Sequence, residues 1–148
     1  MAAVYFDSSA FIKLVLEEQG TDLAAALWDN CDAATSSRLA YPEVHAALAA
    51  AVRAKRLDPD DLQVAERDWE RIWTDVRPVE LSAQISHQAG RLCGIHRLKG
   101  ADGVHLASAL AVNDGNLIVA GWDHRLQTGA IEAGLRIAPA SVSERRSV

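Results

Sequence analysis

Residues 2–20 read AAVYFDSSAFIKLVLEEQG, and the way this stretch turns at Asp7 decides the fold. Ala2 to Phe6 are apolar, in part β-branched or aromatic, and predict a buried strand that ends at Asp7. Ser8 and Ser9 can then cap a helix, and Gly20 can end it. A strand that runs directly into a helix is the first half of a β/α unit.

Working outward, the alternation continues. TDLAAALWDNCD predicts a helix with Leu23, Ala26 and Leu27 on one face. AATSS is a short strand candidate. SRLAYPEVHAALAAAVRAKR is a long helix that starts or kinks near Tyr41, because Pro42 is favourable at a first helical position but costs about 3 kcal/mol deeper inside. DPDDLQVAERDWERIWTDV carries a start signal, with Asp58 as cap, Pro59 next and acids in the first turn; Leu62, Ala65, Trp69, Ile72 and Val76 form its apolar face. RPVEL is a brief strand. SAQISHQAGRLCGIHRL is a helix capped by Ser82, and ADGVHLASALAVNDG a helix opened by Asp102. NLIVAG, DHRLQTGAIEAG and LRIA close the series as strand, helix and strand. Strands alternating with helices predict an α/β fold, a three-layer α/β/α sandwich on a short, mostly parallel sheet. Its folded domain spans 1–139, with a polar tail at 140–148.

The 148-residue chain carries a net charge of −5, which excludes a protein that coats nucleic acid through bulk positive charge. RAKR (Arg53 to Arg56) and HRLK (His96 to Lys99) read as solvated, basic helix ends. Cys31 and Cys93 are far apart and lack metal spacing, so we expect reduced, buried thiols and a cytoplasmic protein. No apolar run approaches the ~20 residues that span a bilayer, and the N-terminus has no signal-peptide pattern, so no membrane contact is expected.

In parallel sheets ligands gather beyond the carboxyl ends of strands, where strand order reverses. Four acids suit that edge: Asp7 after the first strand, Glu43 early in the long helix, Asp102 at a helix start, and Asp123 after NLIVAG. Each alone can be a cap or a solvated helix acid. Together they would repel and raise one another's pKa, a cost that a divalent cation removes. Two Mg²⁺ ions roughly 3.5–4 Å apart can activate water and stabilise a leaving oxygen in phosphodiester hydrolysis.

VYFDSSAFIKLVLEE, SSRLAYPEVHAAL, GADGVHLASAL and VAGWDHRLQTGAIEAGLRI also come in the order and at the intervals of a known family. From Ala3 to about Pro139 the chain resembles PIN-domain ribonucleases, most of all the VapC toxins of toxin–antitoxin pairs. The resemblance implies an endoribonuclease dependent on Mg²⁺ or Mn²⁺. Asp7 and Asp102 would be central metal ligands, Glu43 would hold metal or its water, and Asp123 would complete a second position. It also implies a homodimer and a cognate VapB-type antitoxin that blocks the site, with promoter DNA bound only indirectly through that antitoxin. Ser9 matches a position where a hydroxyl supports the first aspartate. Pro42 beside Glu43 departs from the pattern.

Other residues carry weaker signals. His105 lies three residues after Asp102, on the same helix side, and reads as a packed histidine with one hydrogen bond that can assist the site. Arg38, Lys13 and Arg125 are candidates for phosphate contact, and Trp122 for base stacking. His45 and His124 read as surface residues, and Trp69 and Trp73 as core or interface. Two other functions compete: a dehalogenase-like phosphatase using Asp7 as nucleophile, although Ser9 stands where a second Asp is expected, and a non-catalytic module that binds RNA or protein.

Overall fold

The computed structural model describes residues 2–140; most of the expected tail, 141–148, lies outside the described residues. Five strands, β1 (Ala3–Phe6), β2 (Ala33–Ser37), β3 (Val76–Val79), β4 (Ile118–Ala120) and β5 (Arg136–Ala138), form one sheet in the order β3-β2-β1-β4-β5. Every pairing is parallel. The chain leaves β1 for β2 on one side and returns through β4 on the other. The gap between the carboxyl ends of β1 and β4 is therefore the point where ligands gather in such sheets.

Among the described residues, seven helices cover the two faces: α1 (Ser8–Val15), α2 (Thr21–Asn30), α3 (Ala40–Arg53), α4 (Pro59–Thr74), α5 (Ala83–His96), α6 (Gly100–Val112) and α7 (His124–Glu132). The period of two along β1 divides the core. Val4 and Phe6 join Phe11, Val44, Leu48 and Trp69 on one face. Tyr5 joins Leu92, Leu106, Val119 and Leu126 on the other. The expected three-layer sandwich is what forms.

Local chemistry accounts for most boundaries. Asp58 caps α4 through Asp60 N, and Ser82 caps α5 through Ile85 N, as expected. The differences are instructive. Of the candidate caps for α1, Asp7 rather than Ser8 or Ser9 takes the position, and the helix ends at Val15 rather than Gly20. Gly20 instead adopts φ +95° immediately before α2, where a side chain is disfavoured. Pro42 is the third residue of α3, within the first turn whose N–H groups have no intrahelical partner, so it is accommodated there. Val76 belongs to β3, not to the preceding helix. Because β3 is an edge strand, Pro78 is tolerated in it. Lys99 occupies the cap position of α6, and Asp102 sits in the first turn. Cys31 and Cys93 are free thiols, half-buried rather than buried. Among the described residues no helix is long and apolar enough to cross a membrane.

Candidate active site

Asp7 is 2 % exposed and anchors the site. Its Oδ1 accepts from Ser9 Oγ at 2.6 Å and from Ala10 N at 2.9 Å. Ser9 Oγ in turn accepts from Trp122 N at 2.8 Å, tying the end of β1 to the segment after β4. Oδ2 receives no hydrogen bond among the described residues and lies over the bare Cα of Gly121. A Cβ there would stand 2.7 Å from Asp7 Cγ and 3.0 Å from Oδ1, and closer still to Oδ2. Burial pushes the Asp7 carboxyl above its usual range, against the opposing pull of the Ser9 hydroxyl, and the Asp123 charge adds to the rise.

Asp123 follows β4 and caps α7, its Oδ1 accepting from Leu126 N at 3.0 Å. Its charge is felt at Asp102 as well. The half-buried Asp102 carboxyl is raised first by desolvation and then by Asp123, with Glu43 adding to it. Asp123 is thus the common neighbour of the other two aspartates.

Glu43 and His105 form the other wall. His105, 2 % exposed, meets Glu43 Oε1 through Nε2 at 2.6 Å and the Tyr5 hydroxyl through Nδ1 at 2.7 Å. Its expected single hydrogen bond is therefore two. In a neutral ring, the carboxylate requires the proton on Nε2, so Nδ1 accepts from Tyr5. Burial also raises the Tyr5 pKa, which keeps that hydroxyl a donor. A continuous Tyr5–His105–Glu43 chain thus runs from the core to the site.

The four acids and His105 meet at the carboxyl edge of β1 and β4, but not as a closed cage. Among the described residues, no three His, Cys, Asp or Glu side chains are grouped to hold one ion. The donor set is nonetheless hard oxygen, with Asp7 and Asp102 raised by burial and by neighbouring negative charge. Mg²⁺ suits such a set, since it is commonly held by one or two carboxylates together with waters and substrate phosphate.

Two of the three candidates for phosphate contact, Arg38 and Lys13, are engaged elsewhere. Arg38 pairs with Glu80, its Nε 3.1 Å from Oε1. Lys13 pairs with Glu18 at 2.9 Å and lies 5.0 Å from the centre of the Trp122 ring, so one face of that ring is covered. His45 is half-buried beside Glu66 and Glu70. Sequence reasoning missed Gly121 and Tyr5. The glycine between NLIVA and WD was the available signal for a close approach. Nothing local could have linked Tyr5 to His105.

The PIN-domain family matches residues 4–126 of the chain. Ribonuclease VapC45 of Mycobacterium tuberculosis is 61% identical over 142 residues, 96% of this chain and 99% of that protein. Two solved structures share the fold. Mycobacterium tuberculosis VapC20, a sarcin-ricin loop cleaving toxin, is 18% identical, with a TM-score of 0.64 over 89% of this chain and 95% of its own. Rickettsia felis VapBC2, bound to a DNA fragment from its promoter, is 10% identical, with a TM-score of 0.62 over 91% of this chain and 96% of the other.

Proposed function

The chain belongs to the PIN-domain family, among the VapC ribonucleases, and on that premise we propose that it is an endoribonuclease, the toxin of a toxin–antitoxin pair, acting in the cytoplasm. The observation that carries the reading is the meeting of Asp7, Asp102, Asp123 and the His105-held Glu43 where β1 and β4 end. Asp7 and Asp102, together with waters, would hold Mg²⁺ or Mn²⁺, with Asp123 completing a second position or acting through water and Glu43 orienting water. The bound ion supplies positive charge that neutralises the carboxylates and phosphate and makes water easier to deprotonate. The chain's own contribution is geometric. Ser9 and Ala10 orient Asp7, and the α6 N-terminus favours the Asp102 charge. The His105 bond fixes Glu43, which would orient the water whose oxygen bonds to phosphorus as one P–O ester bond breaks. Burial of Asp7 favours this role over that of a nucleophile in a phosphatase, which must reach its substrate directly.

RNA should be cut in Mg²⁺ and spared in EDTA, and Asp102→Asn should lower the rate roughly 10³-fold, in line with the several kcal/mol of charge stabilisation that a catalytic ion supplies. Sequencing RNA ends after expression of parent and variant is the decisive measurement. Identical end patterns and yields in the two would rule out this site. A VapB-type antitoxin as partner and a homodimer complete the proposal, supported by the VapC relationship.

The Tyr5–His105–Glu43 chain makes its own prediction. Tyr5→Phe leaves Nδ1 of a buried imidazole without its donor, at a cost of about 1–3 kcal/mol. The Nε2–H bond to Glu43 remains, but the ring loses its anchor on the core side, so Glu43 is held less firmly. Cleavage should fall by about tenfold, alongside a lowered melting temperature. A full cleavage rate in the destabilised variant would assign Tyr5 to stability alone.

A further inference from the structure

Two adjoining cavities open beside the acidic edge. The outer, about 400 Å³, lies between the end of α5 and the start of α7 and is lined by His96, Arg97, His124, Arg125 and Thr128. The inner, about 280 Å³, is lined by Lys99, Asp102, Asp123, His124 and Arg125. They share His124 and Arg125, so a single trough leads from solvent to two of the site's carboxylates.

The charges along this trough are unusual for a chain of net charge −5. Arg97, Lys99 and Arg125 are exposed, and among the described residues their side chains enter no ion pair or hydrogen bond. Lys99 and Arg125 share a cavity with Asp102 and Asp123 and still pair with neither. Glu132, which pairs with the cavity-lining His96 Nδ1 at 2.8 Å, is also engaged. Three uncommitted cations in a concavity therefore lead to the acids, on a chain whose net charge is negative.

The geometry points to this trough as the binding path for the single-stranded RNA backbone on one side of the cut, with Arg97, Lys99 and Arg125 holding consecutive phosphates. The inference rests on the ribonuclease reading and adds to it where the substrate lies. Arginine forks and the lysine ammonium both suit phosphate oxygens. At the inner end Asp102 and Asp123 repel a bare phosphate, so the strand's next phosphate would sit there only with a cation that these acids hold.

The test compares Arg97→Gln/Arg125→Gln with Arg53→Gln/Arg56→Gln in the full chain. The second pair removes the same charge from exposed positions at the end of α3, away from both cavities. Binding of a short, mixed-sequence single-stranded RNA is measured in EDTA across a salt series, and cleavage in Mg²⁺. The trough pair should weaken binding tenfold or more and flatten the log–log salt slope by ~0.7 for each phosphate no longer neutralised. KM should rise with kcat within about twofold of the parent, and the α3 pair should behave as the parent does. Equal losses in both pairs, or an unchanged salt slope in the trough pair, overturn the path. So does a trough pair that keeps RNA affinity but loses binding to polyglutamate, which would give the surface to an acidic protein segment. A parent that binds and cuts no RNA overturns the function as well; a parent that does both, with an unaffected trough pair, overturns the path alone.

Discussion

Gly121→Ala is expected to lower RNA cleavage about 10²-fold while leaving the chain folded. The added methyl would overlap the Asp7 carboxylate, 2.7 Å from Cγ and 3.0 Å from Oδ1. The carboxylate can retreat only at the expense of its hydrogen bonds. Ser9 Oγ and Ala10 N hold its Oδ1, and Asp7 N is bonded to Ala120 O at 3.1 Å. Gly121 is equally tied, its N–H donating to Ala138 O at 3.0 Å. The overlap must therefore be relieved by displacing the acid itself, and a displacement near 1 Å costs roughly 10²-fold when geometry is catalytic. Overpacking of this kind costs about 1–3 kcal/mol, tolerable for a domain of this size. Gly94→Ala is the matched control: it lies in α5 with nothing within 4 Å of its added Cβ, and it should cut normally and gain about 0.5–1 kcal/mol. Parental cleavage by Gly121→Ala, with circular dichroism unchanged, would remove Asp7 from the chemistry.

Gly121 also marks the limit of what could be read without coordinates. Strand ends and helix starts are written in neighbouring residues, so Asp7, Ser82, Asp58 and Asp123 were legible as caps, and the acidic edge followed from strand alternation. β2 was harder. AATSS is polar, yet it lies between β1 and β3, because Thr35 donates to Arg77 O and Ser36 to Phe6 O and so satisfy themselves inside the sheet. Arg38 was misplaced because sequence proximity to Glu43 says nothing of Glu80, which arrives from the end of β3. His105 was placed on the correct helix side, but its two partners are 100 and 62 residues away. Pairings across such separations leave no local pattern to read.

Asp7→Asn should separate activity from stability in opposite directions. The folded state holds the Asp7 proton more tightly than the unfolded chain does, because burial penalises the carboxylate more than Ser9 and Ala10 relieve it. Stability from this group is therefore fullest below its ordinary value of 3.8, declines as pH rises through the window up to the folded value, and stays lower above it. Asparagine keeps the shape, the α1 cap and an acceptor for Ser9 and Ala10 without the charge. At neutral pH in EDTA the variant should melt higher than the parent, by ~2–4 °C for each kcal/mol relieved, and the difference should vanish toward acid. Cleavage should drop to background. Adding Mg²⁺ should then raise the parent's melting temperature, by about 2.7 kcal/mol equivalent at a hundredfold excess over its dissociation constant, and leave the variant unmoved. A variant that melts lower than the parent in EDTA would make the Asp7 charge a structural asset. A variant that still responds to Mg²⁺ would place the ion on the remaining acids.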